Sequence, residues 1–198
     1  MNGIWFFIVV IYESTTIKVK IKMGTRNLTI VINQNGEKKV SQYGQWDGYP
    51  SGVGIDVLAF LSNKELFEKF LNNLSKTRFL DVDGFDKDFI ESYNKNAPQW
   101  SDEPDKRTEK QKDWFNNYIT RDLASKVLIN IANSEDKEII LKNAEEQDDD
   151  VWGWIEWCYL IDLQKNTLEV YTKKGSPIKV YSLIDLPSKE TFLSDLEK

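Results

Sequence analysis

The pair Asn35-Gly36 stands between two runs, residues 27–33 and 37–43, that both carry strand chemistry. A two-residue type I′ turn needs positive φ at both central positions, and Asn-Gly meets that need readily. The first run, Asn-Leu-Thr-Ile-Val-Ile-Asn, is dense in β-branched side chains, which suit a pleated, half-buried surface. The chain therefore commits early to a β-hairpin. Directly after it, residues 44–54 hold four glycines and a proline, which no regular element accommodates, so the hairpin must open into a shaped loop.

Beyond the loop the apolar period becomes helical. Ile55, Leu58, Ala59, Phe60 and Leu61 begin it, and after Asn63, a candidate N-cap, Leu66, Phe67, Phe70, Leu71 and Leu74 continue it over 64–74. Residues 94–112 are polar and contain two prolines, which predicts an excursion or lid with little core. The helical period returns over 114–132 through Ile119, Leu123, Val127, Leu128 and Ile131, and a further short helix is expected over 135–143. Residues 152–163 are mostly apolar and predict a central strand. Turns at Gln164-Lys165-Asn166 and Lys174-Gly175-Ser176-Pro177 lead into strands over 167–172 and 178–183, and Ser188 caps a closing helix over 188–196. Strands at both ends with helices between them give an α+β domain. The expected sheet is antiparallel, one or two in number, built from the N-terminal hairpin and the C-terminal meander, with helices packed on it. An N-terminal-nucleophile hydrolase fold opens in the same way.

A length of 198 residues suits one domain, expected over 23–198. Residues 1–22 stand apart from it. Their run Ile4 to Tyr12 is nine apolar positions long, short of the roughly 20 that span a bilayer. No Lys or Arg precedes the run and no small-x-small site follows it, unlike a secretory signal. The segment is an extra strand, a removed leader, or sequence upstream of a true start at Met23-Gly24-Thr25-Arg26.

Composition narrows the chemistry. The net charge is −6 with no basic stripe, so neither nucleic acid nor an anionic membrane is an expected partner. The absence of histidine excludes a serine triad, a zinc hydrolase and a His-activated cysteine. No metal or other cofactor is expected. The single cysteine, Cys158, lies in the apolar run Trp157-Cys158-Tyr159-Leu160-Ile161 and reads as a small buried hydrophobe, in keeping with a cytoplasmic, reducing location. Glu145-Glu146-Gln147-Asp148-Asp149-Asp150 reads as a solvated acidic loop. Asp81, Asp83 and Asp86 flank Gly84 like part of a calcium loop, but Ser92 stands where the closing Glu belongs, so they too read as solvated.

The loop Tyr43-Gly44-Gln45-Trp46-Asp47-Gly48-Tyr49-Pro50 carries two tyrosines and a tryptophan inside a glycine-rich turn. An unpaired Asp47 among aromatics would be costly, and Arg26 is the expected partner because hairpin geometry sets the start of the first strand beside the end of the second. Thr25, Arg26, Tyr43, Gln45, Trp46, Asp47 and Tyr49 then form a polar cluster with aromatic walls, the make-up of a small-molecule pocket. The same residues also suit a structural corner where strand gives way to helix.

At these residues the chain resembles an uncharacterised family that occurs in phages, bacteria, fungi and large DNA viruses. Its members start near Met-Gly-Thr-Arg, as at Met23–Arg26, and carry Gln-Tyr-Gly-Gln-Trp-Asp-Gly-Tyr-Pro-x-Gly-x-Gly, matched nearly in full from Gln42 to Gly54. Further similarity lies at Thr120-Arg121-Asp122, at Glu156 to Leu163 and at Asn166 to Tyr171. The resemblance implies a fold and a domain start at Met23, and no activity.

Three functions are open at this level. The first is binding of a small polar or planar ligand, with Trp46 and Tyr49 stacking, Gln45 reading an edge and Arg26 meeting an anionic group. The second is an N-terminal-nucleophile hydrolase with Thr25 as nucleophile, its freed amine as base, and Arg26, Lys39 or Asp47 in support. The third is a protein-interaction module using Trp100, Trp114, Trp152 and Trp154, in which core burial is expected for at least half of the aromatics.

Overall fold

The computed structural model describes residues 24–81, 86–87, 108, 123–147 and 150–197. The expected extension over 1–22, residues 94–112 apart from Thr108, the first half of the predicted 114–132 helix, Thr120-Arg121-Asp122, Asp83-Gly84 and Asp148-Asp149 lie outside the described residues, as do Trp100 and Trp114.

The hairpin forms, with β1 (Asn27–Ile32) antiparallel to β2 (Lys38–Gly44). Its turn differs from the expected two-residue type. Of its residues only Gly36 has positive φ, at 81°, and the Gly36 amide donates to the Asn33 carbonyl at 3.0 Å. This is a three-residue loop closed by a left-handed glycine. Asn33 decides the outcome, because its side-chain oxygen accepts from the amides of Asn35 and Glu37, each at 2.9 Å.

A wide helical turn, Pro50–Gly54, leads into α1 (Ile55–Ser62) and α2 (Lys64–Leu74), and Asn63 caps α2 by accepting from Leu66 N at 3.2 Å. Next come β3 (Thr77–Phe79), α3 (Lys126–Asn133) and β4 (Ile139–Leu141). The short helix expected over 135–143 is thus replaced by a strand. Ile139 and Leu141 are buried while Ile140 between them is half-buried, a period of two, and β4 pairs with β3 in parallel. The predicted strand over 152–163 is also shorter. Single turns α4 (Ala144–Gln147) and α5 (Val151–Trp154) precede β5 (Trp157–Asp162). β6 (Thr167–Tyr171), β7 (Lys179–Ser182) and α6 (Lys189–Leu196), capped by Ser188, match the expected meander and closing helix.

The main sheet runs β2-β1-β5-β6-β7. It is mixed rather than antiparallel throughout, because β1 and β5 pair in parallel with Asn27 opposite Trp157 and Thr29 opposite Tyr159. The chain reaches β5 through the helices, and so arrives running the same way as β1. One sheet face, with Val31, Val40, Tyr159, Ile161, Leu168 and Val170, packs on α1, α2, α3 and α6 through Val57, Phe60, Phe70, Leu128, Ile131 and Phe192. The other, with Leu28, Ile30, Tyr43, Cys158 and Tyr171, is covered by Ala144, Val151 and Ile155. Cys158 is fully buried, and desolvation pushes its thiol far above the ordinary range, as expected of an inert small hydrophobe. Among the described residues no helix is long and apolar enough to cross a membrane.

Two acidic features depart from the expected solvated loops. Asp86 is buried and accepts from both terminal nitrogens of the Arg78 guanidinium, at 2.6 and 2.8 Å. Glu145 pins the second-face cover to β2, accepting from Lys38 Nζ, from Ser41 Oγ at 3.0 Å and from Trp152 Nε1 at 2.9 Å. Burial alone would raise the Glu145 carboxyl, but the bonds from Lys38, Trp152 and Ser41 outweigh it and hold the group below the ordinary carboxylate value of 4.5. A depressed folded-state value means that this stability is present above the unfolded value and is lost as pH falls through the folded one. Urea midpoints should therefore fall between about pH 5 and pH 3, and Glu145→Gln should flatten that dependence while lowering stability by about 1.5–3 kcal/mol at neutral pH. An unchanged pH profile in the variant would remove Glu145 from the linkage.

Candidate functional site

Thr25 and Arg26 lead into β1, and Gln45 leaves β2 directly across from them, since Asn27 pairs with Gly44. Backbone bonds fix this juxtaposition. Gly48 N–H donates to Thr25 O at 2.9 Å, and the side-chain Nδ2 of Asn27 adds bonds to Gly44 O at 3.1 Å and to Trp46 O at 3.3 Å. Tyr159, fully buried in the middle of β5, sends its hydroxyl to Gly48 O at 2.8 Å, which ties the loop to the core. Asp47 has φ 54°, a left-handed value that aspartate tolerates better than most residues. Its carbonyl accepts from Val53 N at 2.8 Å, closing the loop onto the turn that starts α1.

The side chains then divide. The Tyr43 ring is buried, meets Trp154 edge-on at 5.1 Å, and donates its hydroxyl to Gln45 Oε1 at 2.5 Å. Tyr49 donates to Asp47 Oδ1 at 3.1 Å. That bond, with smaller additions from desolvation and from the Asp47 and Glu197 charges, raises the phenol above its ordinary value. Asp47 is exposed, and Trp46 is 64% exposed with its ring laid against Gly24.

The expected Arg26–Asp47 pair does not form. Arg26 Nε lies 3.9 Å from Glu156 Oε1, and the guanidinium sits over the Trp154 ring at 5.6 Å. The cause is the parallel β1–β5 pairing, which bonds Glu156 N to Arg26 O at 2.9 Å and brings that carboxylate closer than the loop brings Asp47. The polar cluster is therefore not closed by that pair, and Trp46 presents an open face at this point. Two recesses of about 210 and 270 Å³ lie elsewhere, one against Asn33, Leu71 and Leu163, the other against Leu61, Phe67 and Ile184.

The groups named in support of a nucleophilic Thr25 are also engaged elsewhere, Asp47 with Tyr49 and Lys39 with Glu37 at 3.6 Å, while Thr25 itself is buried. Trp152 and Trp154 pack into the second face against Tyr171 and Tyr43, so neither stands out as a docking side chain. Among the described residues no group of three or more acidic or cysteine side chains is placed to hold a metal.

Sequence reasoning missed Asn27, Glu156, Tyr159 and Glu197, the last of which accepts from Ser51 N at 3.1 Å. Asn27 carried one usable signal, an amide at the strand start beside the loop. The other three act across 111 residues or more, where spacing says nothing. No known protein family, no curated protein and no solved structure matches this chain.

Proposed function

We propose that this chain binds a small polar ligand at the loop cluster of Thr25, Arg26, Tyr43, Gln45, Trp46, Asp47 and Tyr49, on the side where Trp46 and Asp47 are exposed and with Thr25 and Tyr43 buried beneath. One observation carries the reading. A structural corner accounts for Tyr43, Gln45, Asn27 and Gly48, all of which are bonded into the fold, but it does not account for Trp46, left 64% exposed on a loop fixed on both sides. An exposed indole on a rigid support is a stacking surface held ready at little entropic cost. The resemblance read from the sequence centres on the same loop, and the lone buried Cys158 suits a cytoplasmic setting.

A thermal-shift screen with nucleotides and amino-acid derivatives tests the reading. At a hundredfold excess over Kd a ligand should raise the midpoint by about 5–10 °C, following roughly 2.7 kcal/mol of linkage. Trp46→Ala should lose that shift while unfolding near the wild-type temperature, because the ring buries little. A panel that moves neither protein counts against binding at this loop.

A further inference from the structure

The charge of the ligand follows from which charged groups the loop leaves uncompensated. A glycine-rich turn entering a helix commonly offers amide N–H groups to an anion. Here those of Gly48 and of Ser51 to Gly54 are consumed. Gly48 N–H goes to Thr25 O, Gly52 and Gly54 N–H to Tyr49 O, and Val53 N–H to Asp47 O, while Pro50 has none. Ser51 N–H is taken by the chain's own Glu197 carboxylate. Arg26, the one cation of the expected cluster, already lies against Glu156 and over Trp154.

What remains uncompensated is negative charge beside an aromatic face. Asp47 and Glu197 are both exposed, and neither has a cationic partner among the described residues. The Tyr49 phenol lies in the field of both carboxylates. Beneath the loop the same surplus continues, with Asn27 Oδ1 fully buried and lacking a donor although its nitrogen bonds Trp46 O. We infer that the group received on the Trp46 platform is an organic cation, a guanidinium or alkylated ammonium, stacked on the Trp46 indole and neutralised by Asp47 and Glu197. An indole face attracts such cations through its quadrupole, and a nearby carboxylate adds to the attraction. A phosphate or carboxylate ligand would meet two like charges.

The inference rests on the ligand reading above, and one experiment separates the two. Protein labelled with ¹⁵N-tryptophan gives an indole signal for each of its seven tryptophans, and the signal missing from Trp46→Phe belongs to Trp46. The probes are agmatine, tetramethylammonium, an Arg-containing tripeptide, adenosine and AMP. Agmatine and tetramethylammonium should move the Trp46 signal in a saturable way. Asp47→Asn, which suits the same left-handed backbone, should weaken that response about tenfold, and 0.5 M salt should weaken it as well. Glu197→Gln should act in the same direction. Tighter binding of the tripeptide than of agmatine would place the cation on a peptide, and the reverse would place it on a free metabolite. AMP or adenosine moving Trp46 while the cations leave it still would overturn the charge assignment and keep the ligand site. No response of Trp46 to any probe would overturn both. A cation response that Asp47→Asn and Glu197→Gln leave unchanged would overturn the assignment of the carboxylates.

Discussion

Phe192→Ala is expected to lower the unfolding free energy by about 3–5 kcal/mol, the range for truncating a fully buried aromatic ring. Phe192 has 0% exposure and is the only buried residue of α6. Its ring tilts against Tyr181 at 5.4 Å and reaches the wide turn before α1, where a Cβ on Gly54 would stand 3.1 Å from it. An eight-residue helix has little stability of its own, so α6 stays in place chiefly through this contact, with Leu193, Leu196 and the Lys179–Asp195 pair at 2.7 Å in support. Losing the ring should release α6 and remove Glu197 from Ser51. The melting temperature should drop by about 10 °C, at roughly 2–4 °C per kcal/mol for a chain of this size. Phe192→Leu should recover most of the loss, leaving a deficit of about 1–1.5 kcal/mol. Urea unfolding of the three proteins decides the matter. A deficit for alanine below about 1 kcal/mol would mean that something other than this ring seats the helix.

The legible parts of the fold are those whose causes lie close in sequence. Glycine at position 36, the β-branched run over β1, and the caps at Asn63 and Ser188 each act within four residues, and each element formed near its expected place. The same holds for the β5-β6-β7 meander, where Asp162 accepts from the amides of Gln164 and Lys165 and Asn166 adopts φ 61°. β3 and β4 were not legible because each is three residues long, and the alternating burial of β4 leaves no trace in the uniformly apolar Ile139-Ile140-Leu141. The parallel β1–β5 pairing was not legible either, since it joins residues 130 apart and depends on how the helices return the chain.

That single pairing explains what was missed at the site. Hairpin geometry rightly placed the backbone of Thr25 and Arg26 beside residues 44–48, as the Gly48–Thr25 bond shows. The Arg26 side chain then went to Glu156, just before β5, whose pairing partner spacing does not reveal, and the Asp47 carboxylate was left at the surface with Tyr49. Backbone proximity was local information, while the choice among charged partners was tertiary.

Gly52→Ala and Gly24→Ala should have opposite consequences although an added Cβ meets its nearest atom at 2.2 Å in both. At Gly52 that atom is the Asp47 carbonyl oxygen, which already accepts from Val53 N at 2.8 Å and is held by the turn on one side and the hairpin on the other. Backbone so fixed cannot yield without breaking its bonds, and overpacking of this kind costs about 2–3 kcal/mol. At Gly24 the obstacle is Cε3 of Trp46, on a ring with 64% exposure that can swing into solvent. Gly24→Ala should therefore change stability by less than about 0.5 kcal/mol, yet it should shift the Trp46 indole resonance and weaken ligand binding, because the platform loses its support. Gly52→Ala should instead lower the urea midpoint and disturb Tyr49 and Asp47 together. Equal losses of stability in the two variants would show that Trp46 is as firmly held as the main chain, and the indole would then be part of the corner, not a surface kept free for a ligand.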